Sequence, residues 1–195
     1  MEKNSIKFNA ETEFHMLRHF SGPKETYIKY FTSLGKSVFE IEKELNEVGS
    51  RFIPLFATNI QQIIDHLFSF GFIETVGING NKILKSSVSN QHFPNGIGSQ
   101  SVIPVSSLRP VQREQIFYKE NRGIKLKHLE IDTMPSTSDF CVILKPHRSE
   151  FIFITAFPGD QAMPLPNHQM SKLLYEECKL FWENHVFLVK HGEEK

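Results

Sequence analysis

A histidine pair near the start of the chain is the first group that could do chemistry. His15 and His19 are four residues apart, and this spacing places both imidazoles on one face of a helix. A zinc pair uses the same spacing, but the helix of zinc peptidases carries a glutamate directly after the first histidine, where Met16 stands here. Two boundary histidines of an amphipathic helix need no chemical role. An acid–base pair would exploit the near-neutral titration of histidine, with Arg18 and Arg51 adding positive charge nearby.

A hydroxyl near the end of an apolar run is the second candidate. Large apolar residues lead up to Thr155 in residues 151–157, and Pro158 and Gly159 then turn the chain. A hydroxyl at a strand end, just before a loop, can point into a cleft. A threonine inside a strand also needs no functional reason, because its branched side chain suits the pleated surface.

Positive charge concentrates in residues 109–128 and again in residues 145–148. The first stretch contains Phe117 and Tyr118 and carries the cations Arg109, Arg113, Lys119, Arg122, Lys125 and Lys127. Such a stretch can follow a phosphate backbone and stack a base, or it can be an ordinary solvated surface. The second stretch carries Lys145, His147 and Arg148. A hairpin at this turn would set these cations beside the strand of Thr155.

Length and composition limit the classes of protein. The chain has 195 residues, which favours one domain with a substantial core. Lys plus Arg and Asp plus Glu are both 22, so the net charge of zero argues against coating nucleic acid through bulk positive charge. Two cysteines, Cys141 and Cys178, are too few for a disulfide framework. We expect Cys141 to be a buried strand thiol, because it lies in an apolar run.

The apolar runs are too short for a membrane span. Residues 1–5 lack the apolar stretch of a signal peptide. These patterns predict a soluble, cytoplasmic protein without a membrane partner. Carboxylates paired at metal-chelating spacing and phosphate-binding glycine loops are also lacking in the sequence, so we expect neither a metal nor a cofactor.

The elements that must position these groups are predicted as helices first and strands second. A helix is expected over residues 10–20 and ends at Ser21-Gly22-Pro23. A second helix, capped by Ser37, has apolar residues at the spacing of one face. A third, over residues 60–68, shows the helical period clearly and ends at Gly71.

Strand patterns dominate the second half of the chain. Residues 72–76 and 82–88 read as a hairpin around Asn79-Gly80. Further strands are expected at 102–105, 115–118, 124–131, 140–144 and 151–156, and a last helix at 168–186. Residues 89–110 form a long loop rich in Ser, Gly, Pro and Asn.

These patterns predict a single α+β domain over residues 1–195. Its N-terminal helices (1–71) pack on one face of a C-terminal antiparallel β-sheet (72–158), and a loop with a final C-terminal helix follows (159–195).

Two segments together resemble the metal-independent RNase toxins of the barnase/EndoU/colicin/RelE-like superfamily. They are Phe-His-Met-Leu-Arg-His at 14–19 and Phe-Ile-Phe-Ile-Thr-Ala-Phe-Pro-Gly at 151–159. The resemblance spans most of the chain in order. It implies helices that lead into a curved antiparallel sheet, with an active-site histidine on a helix and a threonine or serine on a late strand. The long loop at 89–110 and the tail at 160–195 depart from the compact toxins.

The resemblance implies an endoribonuclease that cleaves RNA by attack of the 2′-OH on the adjacent phosphate, without a metal. His19 then acts as base or acid, His15 as its complement, and Thr155 donates to a phosphate oxygen. Arg148 is the first candidate for the neutralising cation, followed by Arg122 and Lys85. The residues expected to bind substrate are Arg122, Lys125, Lys145 and Lys85. The implied partners are RNA and an antitoxin or immunity protein.

A different class of function stays open at this point. A non-catalytic domain of the same fold could bind nucleic acid or protein for regulation, with both histidines purely structural. Its basic stretch at 109–128 would then hold the partner without cutting it. The chain could also be an immunity protein, but such proteins often carry excess acid, and the neutral balance gives this interpretation no support.

Overall fold

A computed structural model describes residues 1–47, 49–77, 80–121 and 123–192. The chain forms two compact units. The first unit comprises Met1–Gln100 with Ser136–Asp160, and the second comprises Ser101–Pro135 with Gln161–Lys195. The predicted α+β class, with N-terminal helices, antiparallel strand pairs and a C-terminal helix, is confirmed. The prediction of one domain over 1–195 stays a prediction, because compactness does not decide whether the units fold independently.

The helices in chain order are α1 (Ala10–Met16), α2 (Lys24–Ser33), α3 (Val38–Leu45), α4 (Ile60–Phe70), α5 (Pro110–Glu114) and α6 (Lys172–Asn184). The strands are β1 (Ile6–Lys7), β2 (Arg51–Phe52), β3 (Ile73–Val76), β4 (Lys82–Ser87), β5 (Gly98–Ser99), β6 (Val102–Pro104), β7 (Phe117–Asn121), β8 (Ile124–Ile131), β9 (Ser136–Thr137), β10 (Asp139–His147), β11 (Glu150–Pro158) and β12 (His185–Lys190). A 3₁₀ turn, Leu17–His19, continues α1.

Local side-chain signals set the ends of the predicted helices. Ser37 caps α3 in a capping box: its hydroxyl accepts from the Glu40 amide, and the Glu40 carboxylate accepts from the Ser37 amide. Asn59 accepts from the Gln62 amide at the start of α4. Gly71 follows α4 with φ +76°, a conformation that glycine adopts without strain. The predicted helix at 60–68 is therefore confirmed, and it extends to Phe70.

A five-stranded sheet forms the centre of the first unit, in the order β1-β11-β10-β4-β3. Its neighbours are antiparallel except for the short edge strand β1, which runs parallel to β11. The hairpin of β10 and β11 is confirmed, with Ile143 opposite Thr155 and a bulge beside that pair. β3 and β4 also pair as predicted, although Ile78 and Asn79 of the expected turn lie outside the described residues.

The core of the first unit joins α4 to one face of this sheet. Buried residues of α4, including Ile63 and Leu67, belong to the same apolar cluster as Leu84, Val142 and Phe153 from three neighbouring strands. Because successive strand residues alternate between faces, Lys85 and Cys141 lie on the other face. Thr155 shares that other face because it is opposite Ile143, across the bulge from Phe153.

The second unit is built on a smaller sheet in the order β6-β12-β8-β7. Its apolar core centres on Leu108, Leu129, Val186 and Leu188. The prediction of a helix through residue 186 is wrong, because α6 ends at Asn184 and the chain continues as β12. Val186 and Leu188 alternate into the core, and β12 gains β8 as a parallel partner.

Within the described part of the chain, β3 is an edge strand of the first unit's sheet. All four residues of β3 are exposed, and Ile73 and Val76 present 72% and 75% of their surface. Among the described residues, no helix combines the length and apolar character needed to cross a bilayer.

Candidate active site

A buried methionine of α1 contacts the edge strand segment of β11 that β1 leaves uncovered. Among the described residues, β1 pairs with Phe151 and Ile152 of β11, and the residues after Ile152 have no strand partner on that side. The sulfur of Met16 lies 3.4 Å from the amide nitrogen of Ala156 and 3.7 Å from the hydroxyl of Thr155. Because Met16 lies between the two predicted histidines, this contact brings their helix to the strand of Thr155.

His19 is held in one tautomer by a backbone carbonyl. Its Nδ1 lies 2.9 Å from the carbonyl oxygen of Ser50. A carbonyl can only accept, so Nδ1 carries the proton and Nε2 keeps a lone pair. Burial lowers the pKa of His19 to about 4, and the charges of His15, Arg18 and Arg51 act in the same direction. The ring is therefore neutral at pH 7, with a basic nitrogen at Nε2.

Strand β2 positions the carbonyl that holds His19. Arg51 follows Ser50, pairs with Ser99 of β5, and donates from its guanidinium to the carbonyl of Phe20 at 3.2 Å. A Cβ atom at Gly98 would lie 2.5 Å from the Arg51 carbonyl oxygen. Only glycine permits this approach, so part of the predicted loop at 89–110 serves as a strand that supports β2.

His15 lies on the exposed side of the same helix. Partial burial and the charge of Arg18 lower its pKa, and the carboxylate of Glu44 opposes them. Arg18 donates from Nε and Nη2 to one oxygen of Glu44 at 2.9 and 2.7 Å. The carboxylate of Glu44 therefore offsets part of the positive charge that Arg18 places beside the two histidines.

Thr155 lies partly exposed within β11, opposite Ile143. The expectation that it ends the strand is wrong, because β11 stays paired with β10 as far as Pro158. The ring of Phe157, two residues on, is 6.1 Å from the ring of His19 between centroids. Lys145 is exposed and lies two residues from Ile143, on the same face of β10. The register therefore places Thr155 and Lys145 on the same face of the sheet, with the bulge between them.

Arg148 lies at the opposite end of the β10–β11 hairpin. It occupies the turn with φ +54°, next to the pair of His147 and Glu150. Five residues of strand from Glu150 to Thr155 span about 17 Å. The hypothesis that Arg148 neutralises a phosphate beside Thr155 gains no support from this placement.

The other predicted cations are distributed over the chain. Lys85 shares the face of Thr155, but its Nζ donates to Asp160 at 2.8 Å. Lys125 is exposed on β8 of the second unit, opposite Glu120. Arg122 lies outside the described residues.

No cluster of three or more His, Cys, Asp or Glu side chains among the described residues could hold a metal ion. Sequence reasoning missed Met16, Ser50 and Gly98, although all three position His19 or Thr155. Met16 and Ser50 act through long-range contacts that leave no local pattern. Gly98 does leave one, in the Gly-Ile-Gly of residues 96–98.

Comparison of the chain with protein-family models, with curated proteins and with solved structures finds no match.

Proposed function

We propose that this protein is a metal-independent endoribonuclease with His19 as its general base. The observation that carries the proposal is the bond from Nδ1 of His19 to the Ser50 carbonyl, which leaves Nε2 as acceptor. A second histidine and a strand hydroxyl lie on the elements that Met16 joins. Cleavage of RNA through its own 2′-OH requires a base, an acid and a donor that binds the phosphate.

The proposed reaction is one proton-coupled displacement at phosphorus. Nε2 of His19 takes the proton of the 2′-OH, and the 2′-oxygen bonds to phosphorus as the bond to the 5′-oxygen breaks. His15, as imidazolium, protonates the departing 5′-oxygen. The products are a 2′,3′-cyclic phosphate and a free 5′-hydroxyl.

Charge on the phosphate is stabilised by donors from the sheet. The Thr155 hydroxyl donates to a non-bridging oxygen, and the Lys145 ammonium replaces Arg148 as the neutralising cation because it shares the face of Thr155. Donors aimed at developing charge often make the largest single contribution to catalysis.

The two histidines set an acidic pH optimum. His19 must be neutral to accept a proton, so activity rises through its pKa of about 4. His15 must be protonated to donate, so activity falls as pH rises through its lowered pKa, below the usual 6.5. We expect a bell-shaped kcat/KM profile with its maximum between these limits.

Incubation of the full chain with total RNA in excess EDTA tests the proposal. We expect discrete products ending in 2′,3′-cyclic phosphate from the wild type, and a rate lower by about 100-fold or more in H15A and H19A. The exposed His147, in the hairpin turn, supplies the control variant H147A, which should cleave normally.

Full activity in both H15A and H19A would overturn the mechanism. Binding of RNA without products would also overturn it. If that binding weakens with salt, the result favours the alternative of a non-catalytic nucleic-acid-binding domain.

A further inference from the structure

An open pocket of about 470 Å³ lies in the first unit, at the end of the sheet where β10 begins. Its walls are largely apolar. Phe70 comes from the end of α4, Phe72 follows the helix, and Phe140 belongs to β10. The volume falls within the range of small-molecule sites, about 300–1,000 Å³, and apolar and aromatic walls with a few polar groups are typical of them.

Three charged side chains line the same pocket: Lys85, Asp139 and Asp160. The ammonium of Lys85 lies 2.8 Å from a carboxylate oxygen of Asp160. The hydrogen bond that Lys85 donates to Asp160, and then the charges of Asp160 and Asp139, raise the pKa of Lys85, while burial opposes them. Two carboxylates face one ammonium, so the lining carries one net negative charge.

We propose that this pocket binds a small aromatic molecule that carries an ammonium group. The ring packs against Phe70 and Phe72, and the ammonium lies beside the carboxylate of Asp139. A cation here gains both from the net negative charge and from the negative faces of the aromatic walls. The same charge repels a carboxylate-bearing ligand of equal size. This inference is independent of the proposed nuclease activity.

The proposal depends on Asp139 more than on Asp160. Asp160 already accepts from Lys85, so that pair is close to neutral as a unit. Asp139 supplies the remaining negative charge. Its backbone is held in place, because its carbonyl accepts from the Gly159 amide at 2.8 Å and its amide donates to the Thr137 hydroxyl at 3.1 Å.

Three probes with the same phenyl ring and two-carbon chain separate the effect of charge from that of the ring. They are phenethylammonium, phenethyl alcohol and phenylpropionate, titrated into the full chain at low salt and followed by amide NMR shifts. We expect the ammonium to bind about fivefold more tightly than the alcohol, since exposed ion pairs and cation–π contacts are individually modest. The carboxylate should bind most weakly. The shifted amides should include Phe72 and Gly159, which line the pocket.

Two matched carboxylate variants complete the test. D139N should reduce the preference for the ammonium over the alcohol to about twofold or less. E74Q removes a carboxylate of β3 that pairs with Lys82 outside the pocket, so it should leave the preference unchanged. The proposal fails if the alcohol or the carboxylate binds as tightly as the ammonium, if D139N keeps the preference, or if none of the probes shifts the pocket amides.

Discussion

His19 in the first unit and His128 in the second both have a pKa lowered by burial, and the two rings differ in what surrounds them. In the first unit, Nδ1 of His19 donates to the Ser50 carbonyl, and Phe157 is tilted at a centroid distance of 6.1 Å. In the second unit, Nδ1 of His128 lies 3.1 Å from the Leu126 carbonyl. The His128 ring packs between two phenylalanines at 5.6 and 5.4 Å.

The difference separates a structural histidine from a candidate catalytic one. Burial lowers the pKa in both cases, assisted by Lys119 at His128 and by His15 at His19. The aromatic stack covers both faces of the His128 ring, whereas His19 lies beside a second titratable histidine. A perturbed pKa therefore identifies a functional histidine only together with a partner for proton transfer.

The largest expected effect is on RNA cleavage by variants of these two histidines. H19A should lower kcat/KM by about 100-fold or more, because the general base is lost. H128A should stay within about threefold of the wild type, because an alanine there removes only packing. Single-turnover cleavage assays at pH 5.5 measure both rates. Equal losses of kcat/KM in the two variants would contradict the assignment of His19 as the candidate catalytic histidine and His128 as the structural one.

Core truncations compare the stabilities of the two units. L84A in the first unit and L129A in the second each remove a side chain with no more than 1% exposure. Each should lower the free energy of unfolding by about 2–5 kcal/mol.

The only tryptophan, Trp182, belongs to the second unit, so its fluorescence reports that unit while far-UV circular dichroism reports both. The single-domain prediction requires urea transitions by the two probes to coincide in each variant. A shift confined to one probe would contradict it.

The pH dependence of stability also distinguishes His19 from His128. The unfolded chain protonates His19 at its usual pKa near 6.5, whereas the folded chain does so only at about 4. The unfolded state therefore binds more protons between these values, so stability falls as pH decreases from 6.5 to 4. The loss from His19 is at most about 3 kcal/mol.

Urea unfolding at several pH values measures this dependence. H19Q should flatten the slope between pH 6.5 and 4, and H128Q should flatten it less. An unchanged slope in H19Q would show that the ring is not held neutral by the fold.

The smallest effects are expected at Arg148, in the turn of the β10–β11 hairpin, and at Lys145, three residues before it. R148G should raise stability by up to about 1 kcal/mol, because glycine adopts the left-handed conformation of this turn without strain. R148G should also leave cleavage unchanged, whereas K145A should slow it about tenfold. Thermal unfolding and initial cleavage rates measure these effects. A loss of activity in R148G alone would restore Arg148 as the neutralising cation.

Local patterns made much of the fold predictable. The capping residue Ser37, the period of residues 60–68 and the stop at Gly71 are each visible within a few residues of sequence. The long-range pairings could not be predicted in this way. β1, β2, β5 and β9 are two residues long, and their partners are distant in the chain. The apolar run of β12 carries no breaker, and its pairing with β6 and β8 makes it a strand.

The candidate site was likewise predictable where it depends on local sequence pattern, and unpredictable where it depends on long-range pairing. Residue type and spacing singled out His15, His19 and Thr155, and the structure places them on elements that Met16 joins. Arg148 and Lys145 belong to one basic stretch at the hairpin, so the sequence alone could not decide between them. Only the register, with Ile143 opposite Thr155, reveals which cation shares the face of the hydroxyl.

The exposed strand β3 has a consequence for the protein in concentrated solution. Its outer backbone groups and the side chains of Ile73 and Val76 offer a template onto which another chain can add a strand. A sequence pI near 7.1 means that charge repulsion between molecules is weakest at neutral pH. We therefore expect colloidal stability to be lowest near pH 7, and to improve when a lysine replaces Val76.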